Sequence, residues 1–337
     1  MRESRTRQNR LSKHFLLKSG AITAISALAL MGCSPSDPME DATASTEEGG
    51  LDQVTLGLIP ITDVAPVYLG IEQGIFKDHG LELDIQLAQG GAAIVPAVVS
   101  GEYQFGYSNV VSLLVAHQNQ IPISVISNGS TSTSVAGEDS TEVAAMPSSG
   151  ISSVLDLENK TVAINALSNF GEITIRNSIE QAGGNPDTVT FVEVPYPNMP
   201  AQLAAGEVDA AWTTEPFRTQ ILQEGGAIVA SPMTDMAENF DSAFYFASTQ
   251  TAEENPELVE RFRSALAESF QYASENESSV REIIQDYAGL SPELAAEVEL
   301  SQWIPEINRE GLEELAGSAL KYGVLTKEPD YEGFIAE

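Results

Sequence analysis

"VSGEYQFGYSN" (99–109) and "AAGEVDAAWTTE" (204–215) lie 105 residues apart and share one pattern. Each passes from a helix end through Gly-Glu into a short strand that carries an aromatic residue and closes on a hydroxyl or amide. A second pair, "GIEQG" (70–74) and "SIEQAG" (178–183), recurs in the same order at an offset of 108. A supersecondary unit repeated in register implies a duplicated architecture. The chain is therefore expected to form two lobes of similar topology.

The flanking segments supply the elements. "QVTLGLI" (53–59) reads as a buried strand, "APVYLGIEQGIFKDHG" (65–80) as a helix closed by Gly80, and "LELDIQLA" (81–88) alternates as a strand with one wet face. "GGAAIVPAVVSGEY" (90–103) is a helix leading into the strand "QFGYSN" (104–109), and "TVAINALSNFGEITIRNSIEQAGG" (161–184) repeats strand, loop and helix. Strands alternating with helices indicate βαβ units and mainly parallel sheets, an α/β class. "STSTSVAGEDST" (130–141), after the strand "PISVIS" (122–127), reads as a polar crossing, and "ASPMTDMAENFDSAFYFAS" (230–248) as the return. Beyond it Asn255-Pro256 opens a helix with an apolar stripe at Leu258, Phe262, Leu266 and Phe270; Ser291-Pro292 opens another, and "EGLEELAGSALKYG" stops at Gly323. Packing these helices on the first lobe makes it 52–135 plus 240–337, with 140–235 as the second. Two crossings make a hinge, and a hinge makes a cleft.

The N-terminus is not part of that body. Arg2, Arg5, Arg7, Arg10, Lys13 and Lys18 precede the uncharged "AITAISALALM" (21–31), then Gly32 and Cys33. This is the layout of a secretory signal peptide over 1–32. Eleven helical residues reach only about 16 Å, too short to span a bilayer. Leu30-Met31-Gly32-Cys33 resembles a bacterial lipobox, which implies lipidation of Cys33, the sole cysteine of the chain. Residues 33–51, rich in Ser, Pro, Asp, Glu and Gly, then read as a disordered tether. The expected location is the outer face of the cell membrane, held by the lipid. The chain carries 16 Lys and Arg against 49 Asp and Glu, a net charge of −33, and the leader holds six of those basic residues. Such a surface repels nucleic acid.

"GIEQGIFKDHGLELDIQLAQGG" (70–91) and "GEVDAAWTTEPF" (206–217), together with the leader, resemble the solute-binding lipoproteins of the nitrate, taurine or alkanesulfonate and thiamine-precursor ABC importers. The resemblance covers roughly 52–280. It implies a periplasmic-binding-protein-like fold of type II, a small-molecule ligand in the interlobe cleft, and an ABC permease as partner of a monomeric receptor. The family also has an intracellular branch that makes the thiamine pyrimidine with a cysteine-rich segment and a pocket histidine; this chain lacks that segment. The mature histidines, His79 and His117, lie far apart in this reading. No metal-ligand spacing, nucleophile elbow or phosphate loop is present, so a binder without catalytic residues, metal or cofactor is expected.

Ligands of open α/β sheets sit beyond the carboxyl ends of strands, beside helix N-termini. That rule selects Tyr68, Tyr107, Phe170, Tyr196 and Trp212 for an aromatic box. For polar contacts it selects Asp63, Ser108, Asn109, Asn165, Ser168, Asn169, Asn198, Thr213 and Glu215. Core packing of the aromatics and capping by Asp63, Ser168 and Asn169 are the competing roles. Trp212 and Glu215 rank first because they match the family's strand-end motif. The selected loops contain no Lys or Arg, whereas Asp63, Glu172 and Glu215 favour ligands that donate N–H or carry positive charge. An aminopyrimidine stacked between aromatic walls with its amine on Glu215 fits best. Taurine, with its amine on Glu215 and its sulfonate on helix N-termini, comes next, then other alkanesulfonates and nitrate. An anchored sensor is the alternative to an importer component.

Overall fold

The computed structural model describes residues 50–336. The expected signal peptide, the lipidated Cys33 and all of the expected tether but Gly50 and Leu51 lie outside them. The strands are β1 (Asp52–Leu58), β2 (Leu81–Leu87), β3 (Phe105–Asn109), β4 (Ile123–Thr131), β5 (Thr141–Ala145), β6 (Thr161–Ile164), β7 (Thr190–Glu193), β8 (Ala210–Thr214), β9 (Ala227–Ala230) and β10 (Asp241–Ser248). They form two five-stranded sheets, ordered β2-β1-β3-β10-β4 and β7-β6-β8-β5-β9.

The two sheets have the same plan. In each, two strands pair in parallel and a third joins them, while the fourth runs antiparallel between the third and the fifth. The repeat noted above falls on equivalent strands: β3 and β8 are both third in order, so Tyr107 matches Trp212 and Asn109 matches Thr214. The antiparallel members depart from a mainly parallel expectation. They arise because β5 and β10 are the strands by which the chain enters the second sheet and re-enters the first. "DSAFYFAS", expected to belong to the return crossing, is β10, buried along its whole length between β3 and β4. The crossings themselves shrink to 132–140 and 231–240.

Helices cover the faces. Those before the first crossing are α1 (Ala65–Glu72), α2 (Ile75–Asp78), α3 (Gly91–Val99) and α4 (Val110–Gln118). Between the crossings lie α5 (Phe170–Gln181), α6 (Met199–Ala205) and α7 (Phe217–Gln223), with α8 (Pro232–Met236) on the return. The C-terminal set is α9 (Thr249–Glu254), α10 (Pro256–Glu275), α11 (Glu277–Ala288), α12 (Pro292–Glu297), α13 (Arg309–Lys321) and α14 (Tyr331–Phe334). The single helix expected over 65–80 is broken at Gly74, whose φ of 81° lies in the left-handed region that a side chain disfavours. Gly91 allows a close approach: a Cβ there would stand 2.0 Å from Ser108 Oγ, so only glycine lets α3 start directly against β3.

The amphipathic face of α10 seals the first sheet. Val259, Phe262, Ala265, Leu266, Ser269, Phe270 and Ala273 are buried, and the Phe262 ring stacks on Phe105 with centroids 4.0 Å apart. Leu258, expected in the stripe, is only half-buried, and Val259 takes the inner place. Phe262→Ala should therefore cost about 3–5 kcal/mol of stability, measured by urea unfolding. A loss below 1 kcal/mol would mean that α10 is not fixed to the sheet through this ring.

Candidate functional site

Between the two sheets lies a cavity of about 40 Å³. Ile59, Ile61 and Asp63 reach it from the loop after β1, Tyr107 and Asn109 from β3, and Ser242 and Ala243 from β10. From the other sheet come Asn165 after β6, Phe170 at the start of α5, Tyr196 after β7, Trp212 and Thr214 on β8, and Thr141 on β5. The strand-end rule thus brings together Asp63, Tyr107, Asn109, Asn165, Phe170, Tyr196 and Trp212. The equivalent aromatics of the two repeats, Tyr107 and Trp212, meet in one cavity. Phe170 and Tyr196 flank Trp212 with ring centroids 5.7 and 6.1 Å away.

Asp63 sets the electrostatics. It is 4 % exposed, and its carboxylate accepts from Ser130 Oγ at 3.1 Å, Tyr107 Oη at 3.4 Å and Ser301 Oγ at 3.1 Å. Among the described residues no Lys, Arg or His pairs with it. Burial raises its pKa above the ordinary 3.8, and the hydroxyl donors only partly oppose that. The indole of Trp212, 3 % exposed, has a buried Nε1–H with no hydrogen-bond partner. The cavity therefore holds an acceptor with no positive charge beside it, and one of its lining residues carries an unused donor.

The remaining candidates are placed elsewhere. Glu215, expected to meet the ligand, is fully buried away from the cavity. Its Oε1 accepts from Arg218 Nη1 at 3.2 Å, Thr219 Oγ1 at 2.7 Å and Glu299 N at 3.1 Å, and its Oε2 from Thr219 N at 3.1 Å. The start of α7 and its arginine satisfy this carboxylate, which leaves nothing for a ligand amine. Thr213 points to the opposite face of β8 from Trp212, and Ser108 lies under α3. Tyr68 stacks on Tyr287 at 4.0 Å with rings 3° apart, and Tyr287 Oη donates to Ile61 O at 2.9 Å, so this pair supports the loop that carries Asp63. Ser168 and Asn198 are exposed.

Asn169 is the N-cap of α5, where its Oδ1 accepts from Phe170 N, and its Nδ2 reaches Ser112 Oγ of α4 at 2.8 Å. That bond ties the two halves together at a second, larger cavity of about 260 Å³ lined by Gln89, Gly90, Gly91, Asn169 and Glu193. Asn109 and Asn165 line both cavities and form the wall between them. Thr141, Thr214 and Ser242, which the sequence reading missed, lie at strand ends, Thr141 and Ser242 just past the two crossings, where polar residues look like solvent contacts. Among the described residues no group of His, Cys, Asp or Glu could hold a metal ion, and no helix is long and apolar enough to cross a membrane.

Buried acids also line the crossings. Glu142 Oε1 accepts from Gly137 N and Ser231 Oγ, while its Oε2 is buried with no partner, and burial pushes its pKa up to about 8. Asp139 and Asp241 are each pushed up to about 6, again by burial. In the folded chain Glu142 stays protonated to about pH 8, whereas unfolded it ionises near its ordinary 4.5. The native state binds more protons across that window, so stability falls as pH rises through it. The Tm should therefore drop from pH 5 to 8.5, and Glu142→Gln should flatten the fall above pH 6. An unchanged slope in the variant would show that general acidic repulsion, not Glu142, governs it.

Three comparisons place the chain among known proteins. Residues 61–279 match the family described as NMT1/THI5 like. A putative binding protein of Brucella abortus (strain 2308) is 24% identical over 208 residues, 61% of each chain. The chain thus spans about three fifths of the length of this curated relative. The 4-amino-5-hydroxymethyl-2-methylpyrimidine phosphate synthase of Aspergillus parasiticus is 25% identical over 241 residues, 68% of this chain and 67% of that one. Among solved structures, the periplasmic aliphatic sulphonate binding protein SsuA of Escherichia coli superposes with a TM-score of 0.71 at 15% identity, covering 85% of this chain and 92% of that one. The shared architecture is the periplasmic-binding-protein fold.

Proposed function

The chain belongs to the NMT1/THI5-like family, and from that premise we propose that it is the extracytoplasmic solute-binding component of an ABC importer. In this reading it is tethered through lipidated Cys33 and works as a monomer, without cofactor or catalytic residues. Its lobes, 52–135 with 240–337 and 140–235, close on a small ligand and hand it to the permease. One observation carries the reading: a buried carboxylate, Asp63, faces an aromatic cavity between two sheets with no cation to balance it.

The ligand class follows from that carboxylate. A planar amino-heterocycle, with an aminopyrimidine thiamine precursor as the best case, would place its amine on Asp63 by a charge-assisted hydrogen bond. Its ring would lie among Tyr107, Phe170, Tyr196 and Trp212, and a ring nitrogen could accept from Trp212 Nε1. The fungal relative named for an aminopyrimidine phosphate supports the same chemistry. Among the described residues no Lys or Arg lines the cavity, which weighs against sulfonate and nitrate. The cavity is smaller than the roughly 300–1,000 Å³ of ordinary ligand pockets, so the lobes must part to admit the ring.

Thermal unfolding tests this with 4-amino-5-hydroxymethyl-2-methylpyrimidine against taurine, alkanesulfonates and nitrate. At 100 times its dissociation constant the pyrimidine should stabilise the protein by about 2.7 kcal/mol, a few degrees in Tm. Asp63→Asn should weaken binding at least about tenfold and remove about half of the shift or more at the same ligand concentration. Glu215→Gln should lower the baseline Tm yet keep the shift. A response to sulfonates alone, or one that survives Asp63→Asn, would overturn the assignment.

A further inference from the structure

The oxygens of Asp63 are each held by a serine, one of which touches the first crossing and the other the start of β10 beside the return crossing. On one side Ser301 Oγ lies 3.1 Å from Asp63 Oδ1 and 2.8 Å from Ser140 Oγ. A hydroxyl has one proton, so Ser301 divides its single donor between the carboxylate and Ser140, the last residue of the first crossing. On the other side Ser130 Oγ lies 3.1 Å from Asp63 Oδ2 and 2.6 Å from Ser242 Oγ. Ser242 follows the return crossing by one residue of β10. All four serines are buried.

Ser301 belongs to a stretch after α12 that spans both halves. Glu299 N donates to Glu215 beside the second sheet, Gln302 pairs with Thr131 at the end of β4, and Trp303 Nε1 donates to Asp63 O at 2.8 Å. The crossings also touch each other, through Ser132 N and Phe240 O at 2.8 Å.

We propose that Asp63 is where the hinge senses the ligand, with Ser301 and Ser130 as positioning residues that tie its two oxygens to the first crossing and to the strand start that ends the return crossing. The proposal rests on Asp63 being the ligand carboxylate. A ligand N–H that draws on either oxygen must compete with, or reorient, one hydroxyl relay, and the crossing at its far end feels the change.

Hydrogen exchange of the full chain without ligand, followed in peptides over 132–140 and 236–243, tests the wiring. Ser301→Ala should speed exchange about tenfold in the first segment only, and Ser130→Ala in the second only, as for one lost buried hydrogen bond. Asp63→Ala should speed both, and in that background neither serine substitution should add anything. Asp63→Asn, which keeps one acceptor oxygen, should loosen one segment and leave the other, and Ser301→Thr should restore the first. Full additivity with Asp63→Ala, or equal loosening of both segments by Ser301→Ala, would overturn the proposal. No ligand enters this cycle, so a wrong ligand class would appear only in the thermal-shift panel.

Discussion

A carboxylate buried without a cation is the constraint around which this molecule is organised. Taking an ionised Asp out of water costs several kcal/mol unless charge or hydrogen bonds replace the lost hydration. Among the described residues Asp63 has three hydroxyl donors and no cation, so it is held in place with no opposite charge beside it. Glu215, on a strand end of the other half, shows the contrasting solution: a guanidinium, a helix N–H, a hydroxyl and a further backbone N–H satisfy it. Of these two buried acids, the incompletely balanced one is at the cavity. That difference is the ground for proposing Asp63, and not Glu215, as the ligand carboxylate.

Much of the architecture was legible in the sequence because duplication leaves a periodic trace. The Gly-Glu and aromatic pattern places Tyr107 and Trp212 on equivalent strands, and equivalence in two facing sheets brings them to one cavity. The strands β5 and β10 were harder to read. "TEVAA" and "DSAFYFAS" lie beside polar, Gly- and Asp-rich runs, and nothing local reveals that they pair antiparallel in the middle of a sheet. Their partners are distant in sequence, so the register is a tertiary fact.

The candidate site was half legible for a related reason. Position at a strand end is visible in sequence; direction of the side chain is not. Thr213 and Ser108 alternate away from the cavity because neighbours on a strand face opposite ways. Glu215 matched a motif, yet its carboxylate turned to the start of α7, where Thr219 N and Arg218 stand within reach. Ser301 lies 238 residues from Asp63, in a segment with no strand or helix signal, so only the fold could bring it there.

A ligand–protein crystal structure with 4-amino-5-hydroxymethyl-2-methylpyrimidine tests the central claim most directly. The expected result is a ligand amine within about 3 Å of an Asp63 carboxylate oxygen, with the ring against Trp212. A ligand seated instead in the outer cavity beside Gly90 and Asn169, with Asp63 touched only by its serines and Tyr107, would contradict it.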